Sequence, residues 1–276
     1  HGIYGLLGSN GAGKSTIMNI MCGVLKQTEG DIYIKGINTR IDPVEAKCHI
    51  GFLPQQPPLH PDLTVEEYLD YSARLRYIPH KEIPAAITEV VEKCGISHFR
   101  KRLIRNLSGG YQQRVRIAQA IIHNPDFIIL DEPTNGLDPN QIVEIRNLIK
   151  QIAQERTVIL STHILPEVQA TCEYIYMVEK GKMVFSGTVD EFDNYILPTT
   201  IRVTLLAHPT VEELTMIPGL VAAQHLGEMD YRLQFADARN MVDEIIETCG
   251  IHNWRLSQIY MEKSSLDVVF AELSKK

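Results

Sequence analysis

The chain has 276 residues, of which 44% are hydrophobic and 22% are charged, and both fractions are ordinary for a globular protein. Its formal net charge of −7 argues against a surface that neutralises many nucleic-acid phosphates, so we expect no nucleic-acid partner. No run of about eighteen apolar residues occurs, and we therefore predict no membrane-spanning helix. Five widely spaced cysteines without a C-x-x-C pair favour reduced thiols over disulfides or a zinc site.

The first motif with chemical content follows a short apolar run, Ile3 to Leu7, that predicts a buried strand. Residues 8–15 read GSNGAGKS, which fits G-x-x-x-x-G-K-[ST], and a predicted helix runs from Lys14 to Cys22. Glycines let the backbone wrap an anion, and the helix adds the positive end of its dipole. Lys14 can reach the β- and γ-phosphates, and Ser15 can ligate Mg²⁺. The alternative is a glycine turn before an ordinary helix, but the strand, the helix and the Lys-Ser pair together favour a nucleoside triphosphate.

The next hundred residues divide into short strands and a helical insertion. Asp31–Lys35 and Ile50–Leu53 are predicted strands, and the proline-rich segment Pro54–Pro58 is a predicted loop. A capping box at Thr64–Glu67 starts a helix that we extend to Ile78, and a second helix covers Ile83–Cys94. Residues 58–107 therefore predict a mostly helical insertion without strands of its own.

A second anion-binding segment, Ser108-Gly109-Gly110, opens a third predicted helix that ends near Asn124. One nucleotide cannot easily use two such cradles within a monomer. We therefore predict a head-to-tail pair, with ATP between Lys14 of one copy and Ser108 of the other.

Alternating strands and helices continue to about residue 186. Phe127–Asp131 is a continuous apolar strand that ends in an acid, as expected in a parallel sheet covered on both faces. An amphipathic helix over 140–155, a strand over Thr157–Thr162, and strands at Tyr174–Glu179 and Met183–Ser186 follow. This order predicts a parallel α/β core.

Four polar residues follow predicted strands, where ligands bind in open α/β sheets. Beside the glycine-rich motif, Asp131 would hold hydrated magnesium and Glu132 would polarise the attacking water. Gln55 could ligate Mg²⁺ and orient water, and His163 could contact the γ-phosphate. Taken alone, the acidic pair could equally be a solvated turn, Gln55 a polar loop residue and His163 a structural histidine.

The pattern changes near Leu197-Pro198. The elements that follow predict the order β-α-β-β-α-β of a small ferredoxin-like domain. Its second helix, Ala238–Cys249, would end at Gly250, a strand would cover His252–Met261, and a closing helix would cover Ser264–Leu273. We find no metal, nucleophile or phosphate signature in this part of the sequence.

Several motifs together resemble the ATP-binding subunit of ABC transporters over residues 1 to about 195. They correspond, in chain order, to the Walker A, Q-loop, signature, Walker B, D-loop and H-loop elements: GSNGAGKST (8–16), Gln55, LSGGYQQR (107–114), FIILDE (127–132), NGLD (135–138) and STH (161–163). The resemblance implies that Glu132 is the catalytic base, His163 the γ-phosphate switch and Asp138 a cross-dimer contact. The helical segment, with the Gln55 loop, would meet a membrane partner.

These arguments give a complete set of candidate residues. The predicted catalytic residues are Glu132, His163 and Gln55. The predicted ATP-binding residues are Gly8, Ser9, Asn10, Gly11, Ala12, Gly13, Lys14, Ser15 and Thr16. The predicted contacts to the ATP of the partner subunit are Ser108, Gly109 and Gly110. The predicted Mg²⁺ ligands are Ser15, Gln55 and, through water, Asp131.

The predicted fold is a P-loop NTPase core of the α/β class, with a mostly parallel sheet and a helical subdomain at about 58–122. We place this ATP-binding domain at 1–197 and a small α+β accessory domain at 198–276. Ser9 stands where the family often has proline, and we expect little effect because that position contributes mainly backbone. The family's two opening strands, with the aromatic residue that stacks on adenine, have no counterpart before His1, so we expect the numbered chain to begin inside a domain.

A narrower resemblance links the chain to ABC-2-type exporter subunits of the drug-efflux and gliding-motility kind. It rests on GLDPNQIVEIRNLI (136–149), the single ATPase unit, the extra C-terminal domain and the ending SSLDVVFAEL (264–273). It implies an ATP-hydrolysing motor in which two copies sandwich two ATP molecules. The partners would be a second ATP-binding subunit and a separate transmembrane permease, at the cytoplasmic face of the cell membrane.

Two other functions were weighed against the motor. A soluble ABC ATPase that acts on ribosomes or DNA usually has two ATPase units in one chain or long coiled coils, and the sequence shows neither. A non-hydrolysing regulator is disfavoured because Glu132 and His163 are both present.

Overall fold

The computed structural model describes residues 1–56, 59–195, 199–236, 240–262 and 270. The chain forms two compact units, residues 1–189 and 190–276. The domain limits predicted from the sequence, 1–197 and 198–276, stay a prediction, because residues 196–198 lie outside the described residues.

The first unit contains strands and helices in alternation. Its strands are β1 Gly2–Leu7, β2 Tyr33–Ile34, β3 Ile37–Asn38, β4 Ile50–Leu53, β5 Phe127–Asp131, β6 Thr157–Thr162, β7 Tyr174–Glu179 and β8 Lys182–Thr188. Its α-helices are α1 Lys14–Met21, α2 Pro43–Cys48, α3 Val65–Leu75, α4 Ile83–Lys93, α5 Gly109–Ile121, α6 Pro139–Ala153 and α7 Leu165–Thr171. A short helix, α8 Val189–Asp193, begins at Val189, which is the last residue of the first unit.

The central sheet has the order β4-β5-β6-β1-β7-β8 among the described strands. Every neighbouring pair is parallel except β7 and β8, which form an antiparallel hairpin at one edge. Strand β5 is apolar and almost wholly buried because helices cover both faces of a parallel sheet. The carboxyl ends of β1, β4, β5 and β6 therefore lie along one edge, where their loops meet. The predicted α/β core with a mostly parallel sheet is confirmed.

The helical insertion follows β4. A capping box at Thr64 starts α3, because its hydroxyl accepts from Glu67 N–H at 3.2 Å while Glu67 accepts from Thr64 N–H at 2.8 Å. Helix α4 follows, and Gly95 takes a left-handed conformation with φ +67° just after it. Within the described part of residues 58–107 there is no strand, and the β-type backbone pairing is limited to an isolated bridge between Thr64 and Leu103.

The second unit contains a four-stranded antiparallel sheet in the order β10-β11-β9-β12. The strands are β9 Thr200–Leu205, β10 Leu220–Gly227, β11 Asp230–Phe235 and β12 Leu256–Glu262, and the helices are α9 Val211–Leu214 and α10 Met241–Ile251. Alternate residues of β9 and β11 point into one core, which holds Ile201, Val203, Leu205, Tyr231, Leu233 and Phe235. The element order and the strand order are those of a ferredoxin-like domain, as predicted.

Several elements differ from the prediction. Helices α2, α7 and α8 were not predicted, and each has seven residues or fewer. Gly250 does not end α10, because the helix continues to Ile251 and the left-handed residue after it is Asn253, at φ +56°. The prolines at 57 and 58, the start of the predicted helix at 238 and the predicted closing helix 264–273, apart from Phe270, lie outside the described residues.

Candidate functional site

The glycine loop, residues 8–13, joins the end of β1 to the start of α1. Gly11 and Gly13 have φ values of +81° and +109°, a region that favours glycine. A Cβ on Gly8 would lie 2.2 Å from the carbonyl oxygen of Val178, so a larger residue does not fit there. Ser15 and Thr16 lie in the first turn of α1, where backbone N–H groups point toward the loop. The loop therefore has the shape expected of an anion cradle.

Lys14 lies at the centre of this loop and is only 6% exposed. Its Nζ donates to the carbonyl oxygens of Gly8, at 2.9 Å, and Ser9, at 3.0 Å. Burial lowers the pKa of Lys14, because desolvation disfavours the charged amine. The carboxylates of Glu132, Asp131 and Glu179 act in the opposite direction and support the charge. The lysine and the acidic pair thus share one electrostatic environment.

The turn between β7 and β8 supports the glycine loop from one side. The Ser9 hydroxyl donates to Glu179 Oε1 at 2.9 Å, and Gly181 N–H donates to the Ala12 carbonyl oxygen at 2.9 Å. The sequence predicted that Ser9 would contribute mainly backbone atoms. The structure shows in addition a hydrogen bond from its side chain to Glu179. This turn fixes the loop before any ligand arrives.

Asp131 is the last residue of β5 and is 4% exposed. Ser161, on the neighbouring strand β6, donates its hydroxyl to Asp131 Oδ1. The backbone N–H of Glu132 donates to the Ser161 carbonyl oxygen at 3.2 Å. Ser161 therefore orients both members of the acidic pair.

Glu132 is the meeting point of the remaining predicted catalytic residues. Its Oε1 accepts from His163 Nδ1 at 2.8 Å, and its Oε2 accepts from Gln55 Nε2 at 3.0 Å. Asn135 Nδ2 also donates to Oε2, at 3.3 Å. Glu132 has a φ of +48°, a conformation that costs about 1 kcal/mol or more for a residue with a Cβ. The backbone is held in this conformation at the position where three loops converge.

The predicted signature residues lie elsewhere in the fold. Ser108 precedes α5 and is exposed, and Gly110 packs against the side chain of Gln141 in α6. Asp138 is also exposed and caps α6, since its Oδ1 accepts from the N–H groups of Asn140 and Gln141, each at 3.0 Å. Among the residues that the structure describes, these groups show no hydrogen bond to the glycine loop.

The sequence did not predict the residues whose hydrogen bonds hold the predicted site residues in place. Ser161, Asn135 and Glu179 each bond to a member of the site. Ser161 and Asn135 lie inside motifs that the sequence had singled out, STH and NGLD, so their position was a usable signal. Glu179 lies 170 residues from Ser9, and nothing in the local sequence indicates that contact.

The arrangement has two chemical capacities. The glycine loop and Lys14 can bind a polyphosphate, and Glu132 can accept a proton from water beside it. Within the described residues, no group of three or more His, Cys, Asp or Glu side chains could hold a metal ion by itself. Mg²⁺ usually keeps several waters and takes one or two carboxylates together with phosphate oxygens. The buried carboxylate of Asp131 and the oxygen atoms of Ser15 and Gln55 fit that requirement.

Comparison with known proteins finds relatives of one family. A profile described as ABC transporter matches residues 1–135. The bacitracin transport ATP-binding protein BcrA of Bacillus licheniformis is 41% identical over 184 residues, which cover 66% of this chain and 59% of BcrA. The ABC transporter ATP-binding protein NatA of Bacillus subtilis is 36% identical over 68% of this chain and 77% of NatA. The chain thus spans less than two thirds of BcrA but more than two thirds of NatA.

A solved structure has the same fold. It is a dimeric ATP-binding cassette in a post-hydrolysis state, bound to ADP and Pi. It superposes with a TM-score of 0.60 at 31% sequence identity, over 68% of this chain and 85% of that chain. Among the helices that the structure describes, none is both long and apolar enough to cross a lipid bilayer.

Proposed function

This chain belongs to the family of ABC transporter ATP-binding proteins, and from that premise we propose that it is the ATP-hydrolysing motor subunit of a membrane exporter of the ABC-2 type. The observation that carries the proposal is the meeting of Gln55, Glu132 and His163 beside the glycine loop. Each comes from the end of a different strand, so the fold assembles a site that no local segment could form.

ATP would bind with its phosphates on the glycine loop and the start of α1. In the structure, the Lys14 amine donates to the carbonyl oxygens of Gly8 and Ser9. The β- and γ-phosphates of ATP would replace these carbonyl oxygens as acceptors for Lys14. Because the phosphate oxygens carry full negative charge, the new hydrogen bonds would be stronger than those to the neutral carbonyl oxygens. Ser15, Gln55 and, through water, Asp131 would hold Mg²⁺, which would supply positive charge to neutralise the phosphates.

Hydrolysis would use Glu132 as the general base. In the structure both of its carboxylate oxygens already accept hydrogen bonds, from His163 on one side and from Gln55 and Asn135 on the other. Exchange of one of these bonds would free a further lone pair of the carboxylate for a water molecule. The γ-phosphate provides a competing acceptor for His163, so binding of ATP would release Glu132 for water.

A second copy would complete each site. Ser108 occupies the first position before α5, where serine commonly caps the helix, yet the described contacts include no capping bond from its side chain. Ser108 and Gly109 are exposed, and the hydroxyl of Ser108 at this helix start is suited to an anion that belongs to another molecule. In the proposed dimer, Ser108, Gly109 and Gly110 contact the ATP held by the partner copy, and Asp138 lies at the contact between copies.

A separate transmembrane permease would dock on the helical subdomain, placing the subunit peripherally at the cytoplasmic face of the membrane. A groove of about 780 Å³ lies among α2, the end of α3, the start of α4 and the end of α5. Its rim exposes Val44, Leu75 and Tyr77, whose exposed fractions are 63%, 61% and 82%. Such clustered apolar side chains are typical of a protein contact.

The test compares two substitutions in the full chain. Lys14→Ala should abolish ATP binding and turnover together, because the phosphates lose their buried cation. Glu132→Gln should keep ATP binding but lower kcat by about 10²–10⁴-fold, the usual effect of removing a general base. It should also trap an ATP-bound dimer that light scattering detects as a doubled mass.

The matched control is Glu247→Gln, which makes the same chemical change at an exposed position of α10. It should hydrolyse ATP at the parental rate and form no trapped dimer. A parental rate for Glu132→Gln would exclude Glu132 as the base.

A further inference from the structure

Glu167 is a buried carboxylate outside the residues discussed so far. It lies in α7 and is 5% exposed. Its Oε2 accepts from the Thr162 hydroxyl at 2.9 Å, whereas Oε1 is buried and has no hydrogen-bond partner in the described part of the chain. Burial of a carboxylate that accepts only one hydrogen bond lowers the stability of the fold. A functional role would explain why a glutamate occupies this position.

The Thr162 hydroxyl joins the two residues that flank His163. It donates to Glu167, and it accepts from the backbone N–H of Ile164 at 3.0 Å. Thr162 is also the last residue of β6, where it pairs in register with Leu7 at the start of the glycine loop. One oxygen atom therefore links the sheet, the residue after His163 and the buried carboxylate.

The first turn of helix α7 completes the turn that begins at Thr162. The Glu167 N–H donates to the Ile164 carbonyl oxygen at 3.1 Å. Residues 162–167 thus form a closed turn with His163 exposed at its tip, where Nδ1 contacts Glu132 at 2.8 Å. Within the described part of the chain the imidazole has one hydrogen bond, to Glu132, so its direction depends on the backbone of this turn.

We propose that Glu167 is a positioning residue, which acts through the Thr162 hydroxyl to hold His163 in the orientation that turnover requires. The inference rests on the proposed function, because it assumes that His163 contacts the γ-phosphate. The competing explanation is that Glu167 only stabilises the first turn of α7, where an acidic residue is favourable. That role would affect folding and not the rate of the chemical step.

The experiment measures kcat, the KM for ATP and the melting temperature of Glu167→Ala and Glu167→Gln in the full chain. Glu167→Ala should lower kcat by roughly 10- to 100-fold, the effect expected when a catalytic group is displaced by about 1 Å. Its KM should stay within about twofold of the parent value, because the glycine loop is unchanged. Glu167→Gln keeps an oxygen that can accept from Thr162 and should restore most of kcat.

Combining the change with His163→Ala separates the two explanations. If Glu167 acts through His163, adding Glu167→Ala to His163→Ala should leave kcat almost unchanged, because the positioned group is already gone. Effects on kcat that multiply would overturn the proposal, as would a lowered melting temperature with a parental kcat for Glu167→Ala. A parental kcat for His163→Ala alone would instead refute the role of His163 in the proposed function, and this inference with it.

A second pair of variants serves if Glu167→Ala does not fold. Thr162→Val removes the bridging hydroxyl with little change in volume, and Thr162→Ser keeps it. We expect a low kcat for the valine variant and a near-parental kcat for the serine variant. Equal kcat values for the two would overturn the proposal.

Discussion

At the scale of single residues, the site consists of polar groups that form hydrogen bonds with one another. Lys14 bonds to two carbonyl oxygens, and Asp131 accepts from Ser161. Glu132 accepts three side-chain hydrogen bonds. Because an unpaired buried charge is costly, these contacts stabilise the site. They also use acceptors and donors that a phosphate or a water can replace, so the same groups are ready for exchange.

His123 shows what burial does to a titratable group away from this site. Its Nε2 donates to the Ile50 carbonyl oxygen at 3.0 Å, and its Nδ1 is buried without a partner among the described residues. Burial, assisted by the positive charge of Arg76, lowers the pKa of His123 from 6.5 to about 4. The unfolded chain therefore takes up this proton near pH 6.5, whereas the folded chain takes it up only near pH 4. The contribution of His123 to the free energy of unfolding is therefore fully present above about pH 6.5 and is lost as the pH falls from 6.5 to about 4.

We expect the free energy of unfolding to fall by about 2 kcal/mol between pH 7 and pH 5 because of His123 alone. Urea unfolding at the two pH values measures the change. His123→Gln keeps an amide N–H for Ile50 but does not titrate, so its loss between pH 7 and 5 should be smaller by that amount. The same loss in the parent and the variant would show that another group is responsible.

At the scale of elements, continuous apolar strands and long helices could be predicted, whereas the short helices α2, α7 and α8 could not. Strand β6 has the predicted limits, Thr157–Thr162, because a continuous apolar run between turns admits few other structures. Helix α2, Pro43–Cys48, has six residues, which is too few for an apolar period to appear. Helix α7 has only seven residues, and its proposed importance depends on the hydrogen bond between Glu167 and Thr162, a contact that exists only after the chain turns at His163.

The same distinction applies to the site. Its location followed from the sequence because parallel strands place the residues after them at one edge, and this brought Gln55, Glu132 and His163 together. Their supporting bonds did not follow, since Ser161 and Glu179 reach their partners across 30 and 170 residues. Such bonds depend on strand register and turn geometry, which a linear motif does not record.

Gly250 gives an element-scale prediction where the sequence reading was wrong. The residue lies inside α10, has no positive φ, and a Cβ there would meet no atom within 4 Å. Gly250→Ala should therefore raise the free energy of unfolding of the second unit by about 0.5–1 kcal/mol, because alanine loses less backbone entropy in a helix. Thermal unfolding monitored by the fluorescence of Trp254, in the core of that unit, measures the change.

The control is the same substitution at Gly219, which has a φ of +76° and whose Cβ would lie 2.9 Å from Met241 Cε. Gly219→Ala should lower stability by about 1 kcal/mol or more, because alanine is strained in the left-handed region. A lower melting temperature for Gly250→Ala would mean that Gly250 ends the helix after all.

At the scale of the whole molecule, the glycine loop and the predicted signature residues come from different elements of the first unit. The glycine loop lies at the carboxyl edge of the sheet, whereas Ser108 and Asp138 lie at the exposed starts of α5 and α6. In the proposed dimer every nucleotide needs the loop of one copy and the signature residues of the other. A lesion in either half-site should therefore be corrected by a partner that carries the other lesion.

Mixing two inactive variants tests this requirement. A Lys14→Ala homodimer has two defective loops, and a Ser108→Arg homodimer has two blocked signature segments, so each should be inactive. In a mixed dimer one site carries both lesions and the other carries none. Because random exchange yields half mixed dimers in a two-fold assembly, the mixture should recover up to about a quarter of the parental turnover. An ATPase assay of the two variants, alone and after mixing with ATP, measures the recovery, and a mixture as inactive as its components would show that each copy completes its own site.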